Sequence, residues 1–139
     1  MEQKLHAKVM LVDDEEDFLK ILADRLEMRG LKVTAATRGE EAIDLADKQN
    51  FDAIVIDLAM PGMDGLETLK RIKENHPDAE IIMLSGQGTM KKGIEAMKLG
   101  AEDFLEKPID MKELPTKLDE MKPKRILVLE KRSKEEIEN

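Results

Sequence analysis

Three short runs of the chain are apolar without interruption: VMLV at 9–12, AIVI at 53–56 and IIML at 81–84. A strand with one face in water alternates apolar and polar residues, so unbroken runs predict strands covered on both faces, the pattern of a parallel sheet. LKVTA at 31–35 alternates, and EDFL at 102–105 is short and mixed, which predicts two further strands with a wetter side or at an edge. Between these runs apolar residues recur at helical spacing: Phe18, Ile21, Leu22 and Leu26; Ala42, Ile43 and Ala46; Leu66, Leu69 and Ile72; Ile94 and Met97; Leu114, Leu118 and Met121. Strands joined by helices run parallel, and right-handed crossovers place helices on both faces of the sheet. The pattern therefore predicts an α/β fold, a doubly wound parallel sheet of five strands with five helices.

Local punctuation supports these elements. Thr37 with Glu40, Asp64 with Glu67 and Asp110 with Glu113 have the spacing of a helix cap and its partner at the third helical residue. Gly30, Asn50 and Gly100 each follow a helical segment, where a left-handed residue is expected. Pro115 removes one donor early in the last helix, and Pro123 closes the domain. The expected organisation is one domain over 1–122 and a charged extension, or the start of a linker, over 123–139. KRILVLEKRSKEEIEN reads as a solvated extension or the start of a linker in preference to a basic arm for nucleic acid, and the sequence leaves open whether Ile126 to Leu129 packs on the domain, extends a helix or serves a partner.

Composition narrows the function. With 23 Lys and Arg against 31 Asp and Glu, the net charge is −8, which argues against direct binding to nucleic acid or an anionic membrane surface. The absence of cysteine removes disulfides, thiolate metal sites and a cysteine nucleophile together. No stretch approaches the ~20 apolar residues of a membrane span, and MEQKLHAKV lacks a signal-peptide core. The expectation is a soluble cytoplasmic protein whose partners are proteins and cations. Three Phe with no Trp or Tyr leave little to stack on a base or a flavin.

In an open parallel sheet, ligands bind beyond the carboxyl ends of the strands, where the strand order reverses. Asp13 and Asp14 end the first strand, Asp57 the third and Ser85 the fourth, and Lys107 follows the fifth. Two carboxylates ~4 Å apart repel by about 4 kcal/mol at an effective dielectric near 20, so three on one edge call for a cation. Oxygen ligands with no Cys or His select Mg²⁺, Mn²⁺ or Ca²⁺ over zinc or copper, and Mg²⁺ suits few carboxylates combined with phosphate oxygens and waters. Glu15, Glu16 and Asp17 are explained by the positive end of the following helix dipole. His6 precedes the first strand and His76 follows a helix; both read as surface residues.

VDDE, DLAMPGMDG, LSG and EKP, in this order at the ends of these strands, resemble the response-regulator receiver domain of two-component signalling, over about residues 5–122. The resemblance implies the flavodoxin-like strand order 2-1-3-4-5. It implies Asp57 as phosphoacceptor from a phosphohistidine donor, and Mg²⁺ held by Asp13, Asp14, Asp57 and the Ala59 carbonyl. Lys107 would pair with Asp57 at rest and with a phosphoryl oxygen afterwards, across a Lys-Pro bond that is cis in relatives. Ser85 would turn to bond the phosphoryl group and Phe104 follow inward, altering the face built from the fourth helix, fifth strand and fifth helix. Phe104 lacks the hydroxyl of a Tyr, and Ala59 cannot position a water, which leaves Gln87 to tune hydrolysis. Implied partners are a sensor histidine kinase or histidine phosphotransfer protein, a downstream protein target, and a second copy as a homodimer.

Three rivals share parts of this pattern. A haloacid-dehalogenase-like phosphatase needs a second Asp two residues after the nucleophile, where this chain has Ala59. A flavodoxin-like flavin carrier needs ring-stacking aromatics and a hydroxyl-rich phosphate loop. A receiver-like interaction module that is never phosphorylated would have no use for the acid trio, Ser85 and Lys107 together.

Overall fold

The three unbroken apolar runs form the centre of the sheet in a computed structural model of the chain, which describes residues 7–60, 62–85, 90–107 and 114. The elements are β1 (Lys8–Val12), α1 (Glu16–Met28), β2 (Lys32–Ala36), α2 (Gly39–Lys48), β3 (Ala53–Asp57), α3 (Gly65–Asn75), β4 (Ile81–Ser85), α4 (Met90–Lys98) and β5 (Asp103–Glu106). All pairings are parallel, and the order β2-β1-β3-β4-β5 is the expected one. The mixed segments take the two outer positions, and every residue of β3 and β4 is buried.

Right-handed crossovers decide which face each helix covers. The step from β1 to β2 runs the opposite way across the sheet from the steps β2 to β3, β3 to β4 and β4 to β5, so α1 lies on one face and α2, α3 and α4 on the other. Burial follows this division. Met10, Val12, Ile54, Ile56, Ile81 and Met83 share a core with Ala42 and Ala46 of α2, Leu69 and Ile72 of α3, and Ala96 of α4. Leu19, Leu22 and Leu26 turn α1 inward on the other face.

Helix ends show where local signals operate. Asp64 caps α3, its carboxylate accepting from the Glu67 N–H at 3.0 Å, while the Glu67 side chain pairs outward with Arg71. Gly30 and Gly100 adopt φ of 92° and 110°, the left-handed conformation expected after α1 and α4. Two expectations are corrected. Among the described residues no non-glycine has positive φ, so Asn50 is not left-handed; α2 ends at Gln49 in extended backbone. Thr37 does not cap α2: Arg38 occupies that position without a side-chain bond, and the Glu41 carboxylate accepts from the Thr37 N–H at 3.0 Å.

The chain divides into two units, 1–109 and 110–139. Four helices lie in the described part of the first; in the second, Leu114 alone is described, and it is helical. The rest of the expected fifth helix, its Asp110 and Glu113 cap, Pro115, Pro123, the division at 122 and 123 and the extension 123–139 lie outside the described residues, as do His6, Gln87 and Pro108. No helix among the described residues is long and apolar enough to cross a membrane.

Candidate functional site

β1 pairs with β2 on one side and β3 on the other, so the strand order reverses at the carboxyl ends of β1 and β3. A crevice forms at such a point. Asp13 follows β1, its N–H donating to the Ala36 carbonyl at 3.1 Å, which ties it to the end of β2. One Asp13 carboxylate oxygen accepts from the Glu15 N–H at 2.9 Å, a turn that fixes the side chain before α1 starts. Asp57 is the last residue of β3, and the next backbone bond, from the Leu58 N–H to the Leu84 carbonyl at 2.8 Å, extends the ladder past it.

Asp13, Asp14 and Asp57 each place a carboxylate oxygen within 4.8 Å of the others, Asp13 and Asp57 buried and Asp14 exposed. The donor set is all oxygen, and its three negative charges have few compensating groups. That combination fits a hard divalent cation such as Mg²⁺ and excludes a soft-metal site.

Lys107 faces the trio. Its Nζ donates to an Asp13 oxygen at 2.9 Å and to a Glu15 oxygen at 3.0 Å, lies 3.5 Å from Asp57 and sits 4.6 Å above the Phe18 ring. The hydrogen-bond partners are thus Asp13 and Glu15, and the pairing with Asp57 that the resemblance implies is a longer ion pair at 3.5 Å. The Lys107 N–H donates to the Ser85 carbonyl at 2.7 Å, fastening the end of β5 to that of β4.

Electrostatics separate the groups. Burial raises the Asp57 carboxyl to about 6, with repulsion from Asp13 and, more weakly, Asp14; Lys107 and the Ala59 N–H act in the opposite direction. At neutral pH Asp57 is therefore ionised at a cost in stability, which a nearby cation would offset. Burial alone would lower Lys107, but its hydrogen bonds to Asp13 and Glu15, with attraction to Asp13 and Asp57, raise it on balance, so it stays an ammonium.

Ser85 is buried at the end of β4, and its Oγ has no hydrogen-bond partner among the described residues. Phe104, on β5, packs its ring over α4 where Gly93 has no side chain. Ala59 is exposed. His76 is remote from these groups: it follows α3, and its Nε2 lies 2.8 Å from an Asp47 oxygen at the end of α2.

Three participants were not evident in the sequence. Glu15, assigned there to the helix dipole, precedes α1 without capping it and bonds Lys107. Phe18, counted as a core position, sits under the same ammonium; its spacing of three from Glu15 was the available sign that both lie on one helix face. Gly65 looked like ordinary loop punctuation, yet a Cβ there would collide with the Asp57 carbonyl oxygen and come within 2.7 Å of the Leu58 Cα. Only glycine lets α3 start this close to the end of β3.

The family profile "Response regulator receiver domain" matches residues 9–119. The Transcriptional regulatory protein CpxR of Escherichia coli is 36% identical over 111 residues, 80% of this chain and 47% of that protein. The Probable transcriptional regulator ycf27 of Guillardia theta is 39% identical over 80% of this chain and 43% of its own length. The chain thus spans somewhat under half the length of these relatives. Among solved structures, a response regulator receiver domain from Clostridium thermocellum superposes with a TM-score of 0.84 at 29% identity, covering 88% of this chain and 98% of that one. The Francisella response regulator 1452 receiver domain gives 0.80 at 31% identity, covering 86% and 98%. Sequence and fold agree: the chain belongs to the response regulator receiver domains of two-component signalling.

Proposed function

We propose that Asp57 accepts a phosphoryl group from a phosphohistidine on a sensor kinase or histidine phosphotransfer protein, and that the modified site changes the surface formed by α4, β5 and the following segment. The observation that carries this reading is the meeting of Asp13, Asp14 and Asp57 oxygens within 4.8 Å, opposite Lys107.

A carboxylate oxygen of Asp57 attacks phosphorus. The new P–O bond forms as the P–N bond breaks, and the donor imidazole leaves with the bonding pair. Asp13, Asp14 and Asp57, with the Ala59 carbonyl, would hold Mg²⁺, which when bound neutralises charge on the transferring group. Lys107 supplies a fixed positive charge for one phosphoryl oxygen. Ser85 offers a buried hydroxyl with no hydrogen-bond partner among the described residues, so turning toward the new anion breaks no bond to any of them. Phe104 would then follow, leaving the place against Gly93 where its ring now rests. Ile94 and Met97 of α4 are 50% and 41% exposed, apolar surface suited to a downstream protein or to a second copy of the chain. The chain acts as a switch, catalysing only its own phosphorylation and dephosphorylation.

Ser85→Ala separates the two states. In the resting protein it removes a buried hydroxyl that has no partner among the described residues, so unfolding in urea is expected to show equal or greater stability, by about 1 kcal/mol. In the phosphorylated protein it removes a bond to a charged group, shifting the switched population roughly ten- to a hundredfold toward the resting form; NMR shifts of Phe104 read that population. A less stable resting variant with an unaltered switch contradicts the role.

The test of the function is intact mass after incubation with acetyl phosphate and Mg²⁺, with and without EDTA. The expected result is a metal-dependent gain of one phosphoryl group. No gain would favour an unphosphorylated interaction module.

A further inference from the structure

Lys107 is held by more than the groups it is to serve. Its ammonium is 2.9 Å from Asp13 and 3.0 Å from Glu15 but 3.5 Å from Asp57, and the Phe18 ring lies under it at 4.6 Å. Asp13, Glu15 and Phe18 all come from the end of β1 and the start of α1, and Lys107 reaches them from beyond β5. The Lys107 side chain is 19% exposed and that of Glu15 65%, so Glu15 closes the solvent side of this arrangement while the ring supports it from the helix. An ammonium has three donors. Two are committed to Asp13 and Glu15, and the third is left toward Asp57 at 3.5 Å, beyond a good hydrogen bond. Closing on a phosphoryl oxygen there draws the ammonium off its present seat, and Glu15, the more exposed partner, is the weaker hold.

We propose that Glu15 and Phe18 form a resting seat that keeps the Lys107 ammonium back from Asp57 until a phosphoryl oxygen takes it. Both are positioning residues, and the proposal rests on the reading of Asp57 as phosphoacceptor. Because Lys107 meets the donor's phosphoryl group before and during transfer alike, loosening the seat changes binding more than the chemical step. Glu15 also differs from a merely nearby charge: its role depends on the length of its side chain.

Glu15→Ala, Glu15→Asp and Phe18→Leu are compared with the wild type by intact mass against acetyl phosphate concentration in Mg²⁺. Glu15→Ala is expected to lower the half-saturating concentration about two- to fivefold, the range of a surface ion pair, with little change in maximum rate. Glu15→Asp keeps the charge but is one methylene too short, and should match Glu15→Ala; a match to wild type would reduce Glu15 to a field effect and overturn the seat. The second readout needs neither metal nor phosphate. In the metal-free protein the ¹⁵N signal of the Lys107 ammonium, assigned by its loss in Lys107→Met, should be visible in wild type and broadened in Glu15→Ala and Phe18→Leu at unchanged urea midpoints. A Lys107 signal identical in all of them overturns the proposal. A wild type that gains no phosphoryl group would refute the functional reading instead, and the ammonium signal would still decide the seat.

Discussion

Asp57→Asn is expected to be more stable than the wild type at neutral pH in metal-free buffer, by up to about 3 kcal/mol. The folded carboxyl titrates near 6 against 3.8 for an unperturbed one, and a displacement of that size corresponds to about 3 kcal/mol. Between these values the folded protein binds more protons than the unfolded chain, so wild-type stability falls as pH rises from about 4 to about 6 and then levels. The Asn variant lacks this slope. The two proteins should therefore be similar below about pH 4 and diverge until about pH 6.5. Added Mg²⁺ should stabilise the wild type selectively and narrow the gap, since a ligand bound only by the folded state adds to its stability. Urea unfolding from pH 4 to 7, with EDTA or Mg²⁺, checks this; a wild type at least as stable as the variant at pH 7 in EDTA would contradict it. The cost lies where burial and Asp13 press on Asp57, a crowding that a bound cation would relieve.

Gly65→Ala is expected to damage both the fold and the chemistry. Its Cβ would meet backbone, the Asp57 carbonyl oxygen and carbon and the Leu58 Cα, and backbone in a central strand cannot swing aside as a side chain can. Overpacking of this kind costs about 1–3 kcal/mol, and relieving it means moving α3 or the end of β3. Either shift displaces the Asp57 carboxylate, and a misplacement of about 1 Å at a reacting group lowers the rate on the order of 10²-fold. Gly62→Ala is the control: φ is 74° but, its chain neighbours aside, no atom of the described residues lies within 4 Å of its Cβ, so it should cost about 1–2 kcal/mol through backbone conformation alone and affect phosphorylation far less. Equal phosphorylation rates for Gly65→Ala and wild type would refute the claimed dependence of Asp57 on this close approach.

The sheet was legible because its information is local. VMLV, AIVI and IIML need no distant partner to be recognised as doubly covered strands, and Asp64 with Glu67 is a cap readable within one turn. The strand order came from resemblance, since periodicity carries no information about neighbours. Asn50 and Thr37 failed for a different reason: both are residues permitted at a left-handed or capping position, and the chain used extended backbone at one and Glu41 at the other. The acid trio could be placed because strand ends of a parallel sheet share an edge. Glu15 and Phe18 could not, because their roles are defined by an ammonium 92 residues from Glu15. The run of five acids after β1 thus has three explanations. Asp13 and Asp14 join Asp57, Glu15 holds Lys107, and Glu16 and Asp17 occupy the first turn of α1, where the helix dipole favours them.

The reading of Asp57 as phosphoacceptor requires a covalent phosphoryl group on that one carboxylate of the cluster. After treatment with acetyl phosphate and Mg²⁺, borohydride reduces an acyl phosphate to an alcohol, and peptide mass mapping then locates the change. Homoserine is expected in place of Asp57 alone, and not when EDTA is present. Reduction at Asp13 or Asp14, or an unreduced chain that nevertheless carries phosphate, would contradict it.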